Sequence, residues 1–205
     1  MAIRHHMAPA ALTVTACTAL GLTLLGGVAG AASSRHSVSG AAAAALPDSV
    51  VTYPYEYFQN NNSRKCLDIP GKSTRSGVQI NQYTCSTGQN FGWLPVPEGN
   101  QAGEYVFRNE NQIAPNDKCM TVAGGSDSAG AAIVQDPCDW PNPPASQEWL
   151  VFEGGVDGWG KFENVKSGYC LKIKDSSTSN NGLLIQQSCI GNATSLLWQL
   201  SDSLP

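Results

Sequence analysis

Residues 119–149 read CMTVAGGSDSAGAAIVQDPCDWPNPPASQEW, and the plan of this segment occurs three times in the chain. Two cysteines stand 19 positions apart in it, and a Trp closes it. The same cysteine spacing recurs in three pairs: Cys66 and Cys85, Cys119 and Cys138, and Cys170 and Cys189. Successive pairs begin 53 and 51 residues apart, a period that indicates stacked copies of one structural unit. Six cysteines allow fifteen pairings, and the recurrence favours one disulfide within each copy.

Other residues repeat in step with the cysteines. The recurring features are Phe-x-Asn at 58–60, 107–109 and 162–164; an apolar-polar-apolar triplet at 67–69, 120–122 and 171–173; a turn ending at Gly77, Gly130 or Gly182; a strand centred on Ile80, Ile133 or Ile185; and a final Trp93, Trp149 or Trp198. The alternating triplets are typical of half-buried strands, and the Gly-, Ser- and Asn-rich segments indicate turns. The pattern of each copy therefore predicts four short strands, and the three copies together predict a closed all-β fold.

The N-terminal segment has the layout of a secretory signal peptide. Arg4, His5 and His6 precede an apolar stretch over residues 8–28, and Ala29-Gly30-Ala31 offers a cleavage site. Thr and Gly residues interrupt the apolar stretch, which disfavours a membrane anchor. The predicted division is a signal peptide at 1–31, a flexible linker at 32–52, and a folded domain at 53–205 with repeats at about 53–97, 103–153 and 159–203. A secreted protein occupies a compartment where disulfides persist.

Composition and charge exclude several function classes. The formal net charge is −4 and the longest basic run is Arg64-Lys65, so no nucleic-acid partner is expected. We also expect no membrane contact after signal cleavage, and a monomer. Beyond the signal peptide the only His is His36, in the predicted linker, and the remaining cysteines are assigned to disulfides. A catalytic triad, a metal site and a cofactor are therefore not expected, and we predict a protein without enzyme activity.

The repeat resembles that of the ricin-type β-trefoil, found in lectins and in carbohydrate-binding modules of secreted bacterial enzymes. The resemblance covers residues 53–203 and rests on the Cys-Leu-x-Ile/Val starts, the Gly-x-x-Ile strands and the Gln-x-Trp close, which is intact as Gln147-Glu148-Trp149. It implies a six-stranded barrel capped by three hairpins, with pseudo-threefold symmetry and three four-stranded repeats.

The resemblance also implies a sugar site in the first repeat. In this family the site has an Asp two residues after the first Cys, an aromatic residue two before the second, and an Asn before the Gln-x-Trp. The first repeat supplies Asp68, Tyr83 and Asn90 at these places, and Asn81 is expected to add a polar group. Phe91 replaces the Gln, which removes an internal hydrogen bond of the Asn loop. The simpler interpretations are a turn cap for Asp68, an ordinary edge residue for Tyr83 and a turn residue for Asn90.

The other two repeats lack this set. The second has Thr121, Asp136 and Ser146, and the third has Lys172 and Ser195, with Gln187 or Ser188 at the aromatic position depending on the phase chosen. Both sites are predicted to be lost. The chain is thus expected to be a lectin for galactose-, arabinose- or xylose-type sugars, with stacking on Tyr83. The alternative is a degenerate trefoil that binds or inhibits a protein, for which the loop around Trp140 is a candidate surface.

Overall fold

The computed structural model describes residues 55–98, 103–111, 116–153 and 158–204. The predicted signal peptide (1–31), the whole predicted linker (32–52) and residues 53–54 of the predicted domain lie outside these residues, so the structure does not bear on them. All described residues belong to one compact unit, Ser49–Pro205. In the part of the chain that the structure describes, no helix is long and apolar enough to cross a bilayer.

Strands dominate the described residues, joined by turns that include short 3-10 segments. The strands of the first repeat are β1 (Tyr57–Asn60), β2 (Cys66–Asp68), β3 (Val78–Gln79), β4 (Asn81–Tyr83) and β5 (Trp93–Pro97). The second repeat has β6 (Glu104–Asn109), β7 (Lys118–Val122), β8 (Ile133–Pro137) and β9 (Glu148–Glu153). The third has β10 (Gly160–Asn164), β11 (Cys170–Ile173), β12 (Gly182–Gln187) and β13 (Trp198–Ser201). The first repeat has five strands because Ile80 interrupts its third strand, so the four-stranded plan holds in each copy.

The first and fourth strands of the repeats form a closed barrel. Its strands follow one another in the order β1, β13, β10, β9, β6 and β5, all antiparallel. A bridge between Glu56 and Trp93 joins β5 back to the start of β1. Closure leaves no unpaired sheet edge, and the six-stranded barrel implied by the family resemblance is confirmed.

The core of the barrel is built from the residues that recur in the sequence. Phe58 lies 4.9 Å from both Phe107 and Phe162, measured between ring centroids. The three closing Trp side chains are fully buried, as are the apolar residues of the triplets. Each such side chain contributes about 1.5–3 kcal/mol on burial. Since the three Phe rings meet each other, one repeat alone would leave its ring exposed, and all three must close together.

The second and third strands of each repeat form a hairpin that a disulfide closes. The three bridges are Cys66–Cys85, Cys119–Cys138 and Cys170–Cys189, which confirms the pairing within repeats. The hairpins also pair with one another, through β3 and β8, through β4 and β12, and through Ala132 and Ile185. This arrangement is the cap of a β-trefoil, so the predicted fold is confirmed.

The predicted phase of the third repeat is wrong by one residue. The backbone N–H of Asn181 donates to the Gln82 carbonyl at 2.8 Å, as Gly77 and Gly130 donate to Gln135 and Gln186. Asn181, with φ of 65°, therefore takes the place assigned to Gly182, because Asn also tolerates the left-handed region.

The core position of this strand shifts with it. Leu184 is fully buried whereas Ile185 retains 8% exposure, so Leu184 is the equivalent of Ile80 and Ile133. Gln187 pairs with Cys170 as Tyr83 pairs with Cys66. Of the two residues offered by the sequence, Gln187 and not Ser188 thus stands at the aromatic position.

Candidate functional site

The predicted site residues of the first repeat lie together at an open cleft. Strands β2 and β4 pair with Cys66 opposite Tyr83 and Asp68 opposite Asn81. The short 3-10 segment Gln89–Phe91 brings Asn90 beside Asp68. Asp68, Tyr83 and Asn90 line the cleft, whose volume is about 360 Å³. Asn81 is buried and contacts the Asp68 carboxylate from the neighbouring strand.

Two amides hold the Asp68 carboxylate. Asn90 donates from Nδ2 to Asp68 Oδ1. With the Asn81 amide turned so that its nitrogen faces the carboxylate, Asn81 donates to Asp68 Oδ2 at 3.1 Å. Burial raises the pKa of Asp68, and the hydrogen bond from Asn90 opposes that rise in part. The adjoining 3-10 turn Pro70–Lys72 has no side-chain cap, so Asp68 does not act as the turn cap that the simpler interpretation required.

Tyr83 provides an apolar surface at the cleft. It ends β4, and 41% of the residue is exposed although the two residues before it are buried. Tyr83 pairs with Cys66, and Cys66 is bonded to Cys85 by the disulfide. These two connections fix the backbone at the end of β4. The phenol ring is therefore available for stacking beside a fixed carboxylate.

The Asn90 loop keeps its conformation without the family's Gln. In the second repeat Gln147 donates from Nε2 to the Pro137 carbonyl at 2.8 Å, and its Oε1 accepts from the Asp139 N–H at 3.2 Å. Phe91 cannot make these bonds and is instead buried. The Asn90 carbonyl accepts from the N–H of Ile69 at 3.1 Å, which anchors the loop to the end of β2.

One residue at this loop was missed in the sequence. A Cβ at Gly88 would lie 2.5 Å from Asn90 Oδ1, so a side chain there would displace the Asn90 amide. The other two repeats give little signal for Gly88, because the loop that contains it differs in length between the copies.

The sequence matches the family described as the ricin-type beta-trefoil lectin domain over residues 54–198. The chain belongs to the ricin-type β-trefoil lectin family. This assignment supports carbohydrate binding as the general function of the domain. It concerns the lectin domain, and no comparison assigns an enzyme activity to it.

Relatives of this lectin domain occur alone and within longer chains. It is 26% identical to Flavastacin from Elizabethkingia meningoseptica over 117 residues, which is 57% of this chain and 24% of that protein. The chain thus spans about a quarter of the length of this relative. Among solved structures, the designed threefold-symmetric protein ThreeFoil is 29% identical with a TM-score of 0.65, covering 73% of this chain and 99% of that one. An exo-β-1,3-galactanase from Clostridium thermocellum is 24% identical with a TM-score of 0.64, covering 76% of this chain and 31% of that one.

The second repeat of this lectin uses its equivalent polar groups internally. Asp136 stands where the first repeat has Tyr83, and its Oδ1 accepts from the Gly77 N–H at 2.9 Å. The Thr121 hydroxyl donates to the Cys119 carbonyl at 3.0 Å. Lys166 donates to the Gly125 carbonyl in the adjoining turn. These polar groups are already hydrogen-bonded within the protein, and no aromatic residue stands beside them. The second repeat therefore lacks the pairing of a carboxylate with an aromatic ring that the first repeat has.

The third repeat also lacks an aromatic surface. Gln187 stands in place of Tyr83, and its Oε1 accepts from the neighbouring Ser188 N–H at 3.2 Å. Ser195 stands in place of Asn90 and accepts from the Ser176 hydroxyl at 3.0 Å. Lys172 replaces the carboxylate of Asp68, so no acidic acceptor is present at that position.

A group of atoms in the third repeat has the spacing of metal ligands. An oxygen of Glu163 and the sulfurs of Cys170 and Cys189 lie within 4.8 Å of one another. Both sulfurs belong to one disulfide, and a disulfide supplies no thiolate, the form in which Cys binds metal. We therefore assign no metal to this group.

Proposed function

We propose that this lectin domain binds a galactose-, arabinose- or xylose-type sugar, free or within a polysaccharide, through its first repeat. Tyr83 stacks on the apolar face of the sugar ring, and Asp68 and Asn90 bind adjacent hydroxyls. Asn81 holds the Asp68 carboxylate in position. The observation that carries this proposal is a carboxylate held by two amides in a cleft beside an exposed phenol ring.

The chemistry of sugar recognition explains why these groups are needed together. Sugar hydroxyls are well hydrated, so a binding site must replace their bonds to water with directed bonds, and hydrogen bonds to ionised groups are the stronger kind. An aromatic ring supplies contact with the C–H face of the ring. One shallow site with few polar contacts corresponds to a Kd of roughly 10⁻⁴ to 10⁻³ M.

We further propose that the protein is exported and acts as a non-enzymatic monomer. The signal-peptide layout of residues 1–31 and the three disulfides support export. The loss of the aromatic and acidic positions from two repeats supports a single binding site for each chain.

Binding to insoluble xylan, insoluble arabinan and galactose resin tests the sugar site. We expect Tyr83→Ala to weaken binding about tenfold, because loss of a stacked ring costs on the order of 1.4 kcal/mol. Phe152→Ala is the matched control, since Phe152 is 47% exposed and lies outside the cleft. Unchanged binding by Tyr83→Ala would place the site elsewhere.

A protein-binding or inhibitory role is the second candidate. Trp140 is 37% exposed and Ile190 is 90% exposed, and neither lines the cleft of the first repeat. Wild-type protein that binds none of the three carbohydrate matrices would favour this role over the lectin function.

A further inference from the structure

The cleft of the first repeat is bordered by a residue of the third. Strand β12 pairs with β4 so that Gly182 lies opposite Gln82 and Leu183 opposite Asn81. Continuing this antiparallel register places Asn181 opposite Tyr83, and Asn181 lines the same cleft. The amides of Asn181 and Asn81 approach to 3.2 Å. A line of polar groups therefore extends from Asn90 through Asp68 and Asn81 to the third repeat.

The positions equivalent to Asn181 in the first and second repeats are glycines, which have no side chain. The residues that make the equivalent backbone bond are Gly77, facing the second repeat, and Gly130, facing the third. Only at Asn181, among these three described turn positions, does the neighbouring repeat add a polar side chain. The cleft that Asn181 lines is also the cleft that contains Asp68, Tyr83 and Asn90.

The turn that carries Asn181 is fastened to the first repeat. Asn180 Oδ1 accepts from the Thr84 N–H at 3.1 Å and from the Thr84 hydroxyl at 3.2 Å. Gln82 donates from Nε2 to the carbonyls of Ser177 and Ser179, at 2.8 Å and 2.9 Å. The Asn181 amide is thus preorganised, which reduces the entropy lost when a ligand binds to it.

We propose that the binding site spans two repeats and takes at least two linked sugar units, the second of which Asn181 binds. Asp68 lies on β2 and Asn181 next to β12, with β4 between them. The backbones of β2 and β12 are two strand spacings apart, about 10 Å, and the Asn81 amide lies between the two side chains, 3.1 Å from the Asp68 carboxylate and 3.2 Å from the Asn181 amide. The amide offers both a donor and an acceptor to hydroxyls. This inference rests on the proposed function of the first-repeat cleft.

Asn181→Gly tests the inference with little risk to the fold. The position has a φ of 65°, where Gly is favoured, and Gly occupies both equivalents. Calorimetric titration would compare a monosaccharide with the matching di- and trisaccharides of the polysaccharide that the protein binds. We expect wild type to prefer the oligosaccharides, and Asn181→Gly to weaken oligosaccharide binding about threefold to tenfold, as for one lost hydrogen bond, with monosaccharide binding unchanged.

The matched control is Gly130→Asn, which adds the same side chain at an equivalent position with open space around it. It should leave both affinities unchanged. Equal wild-type affinity for mono- and oligosaccharides, or equal losses for both in Asn181→Gly, would overturn the two-unit site. If binding also failed to depend on Tyr83, the proposed function itself would be wrong, so the two failures are distinguishable.

Discussion

Asp68 is the carboxylate of the proposed sugar site. Asp68 is 6% exposed, and its carboxylate is held by the amides of Asn90 and Asn81. Burial raises its pKa, because a charged group loses hydration in the interior. An ionised carboxylate accepts hydrogen bonds only, whereas the protonated acid loses part of that capacity. In the proposed sugar site, the protonation state of Asp68 is therefore expected to control how well it accepts hydrogen bonds from sugar hydroxyls.

Sugar affinity should fall on acidification, beginning at a higher pH than an ordinary Asp would cause. The raised folded-state pKa means that Asp68 takes up its proton before an unperturbed Asp does. The effect of Asp68 on folding stability has the opposite pH dependence. Because its raised pKa makes the folded state bind more protons than the unfolded state, the free energy of unfolding decreases as pH rises. Titrations from about pH 7 to about pH 4 would measure the affinity.

Asp68→Asn is the control for this pH dependence. The variant keeps an acceptor for Asn90 but cannot ionise, so we expect about tenfold weaker binding and a flat acid profile. Lys72 and Tyr83, the other titratable residues lining the cleft, are not carboxylates. An identical acid profile in wild type and Asp68→Asn would show that another group is responsible.

At the scale of strands, a buried Gln in each third strand joins the repeats. Gln82, Gln135 and Gln186 are fully buried, and each donates from Nε2 to two carbonyls in the turn of a neighbouring repeat. These Gln residues stand three positions before the second Cys in every copy, a regularity that the sequence displays. Their partners lie about 60 to 100 residues away along the chain, so only the structure reveals their role.

Gln82→Ala and Gln186→Ala form a matched pair. Each should lower the free energy of unfolding by about 1–3 kcal/mol, because the variant loses two hydrogen bonds made by a fully buried side chain. Gln82→Ala should also weaken sugar binding, since Gln82 holds the turn beside the first-repeat cleft, whereas Gln186→Ala should not. Chemical denaturation and calorimetric titration measure the two effects. Equal binding by both variants would contradict this division.

The molecule as a whole depends on closure of the three repeats around one core. The three Phe rings contact one another at the centre of the barrel, and each repeat carries its own disulfide. A bridge that closes a loop of this length stabilises the fold by roughly 3 kcal/mol in the chain-entropy model. Because the core is shared, loss of one bridge should lower the stability of all three repeats together.

Replacement of both Cys119 and Cys138 by Ala tests this cooperativity. We expect the free energy of unfolding to fall by about 2–4 kcal/mol, with a single unfolding transition and unchanged sugar binding, since the first-repeat cleft contains neither residue. Thermal unfolding followed by tryptophan fluorescence and by circular dichroism would measure it. Two separate transitions, or lost sugar binding, would contradict a shared core with one site.

The sequence by itself determined the repeat, the disulfide pairing and the core positions other than that of Leu184, and it predicted the first-repeat site residues. It could do so because each of these features recurs at a constant spacing within one repeat of about 50 residues. The phase predicted for the third repeat is wrong because the end of its turn is set by the hydrogen bond from the Asn181 N–H to the Gln82 carbonyl of the first repeat, and not by Gly182.

Only the tertiary structure decided what the repeats do to one another. The burial that raises the pKa of Asp68, the contact of Asn181 with the first-repeat cleft, and the Gln bonds between repeats all depend on packing. Such contacts join residues that are distant in the chain, and a local pattern of residue types carries no record of them. The physical reason is that burial and inter-repeat hydrogen bonds exist only once the barrel has closed.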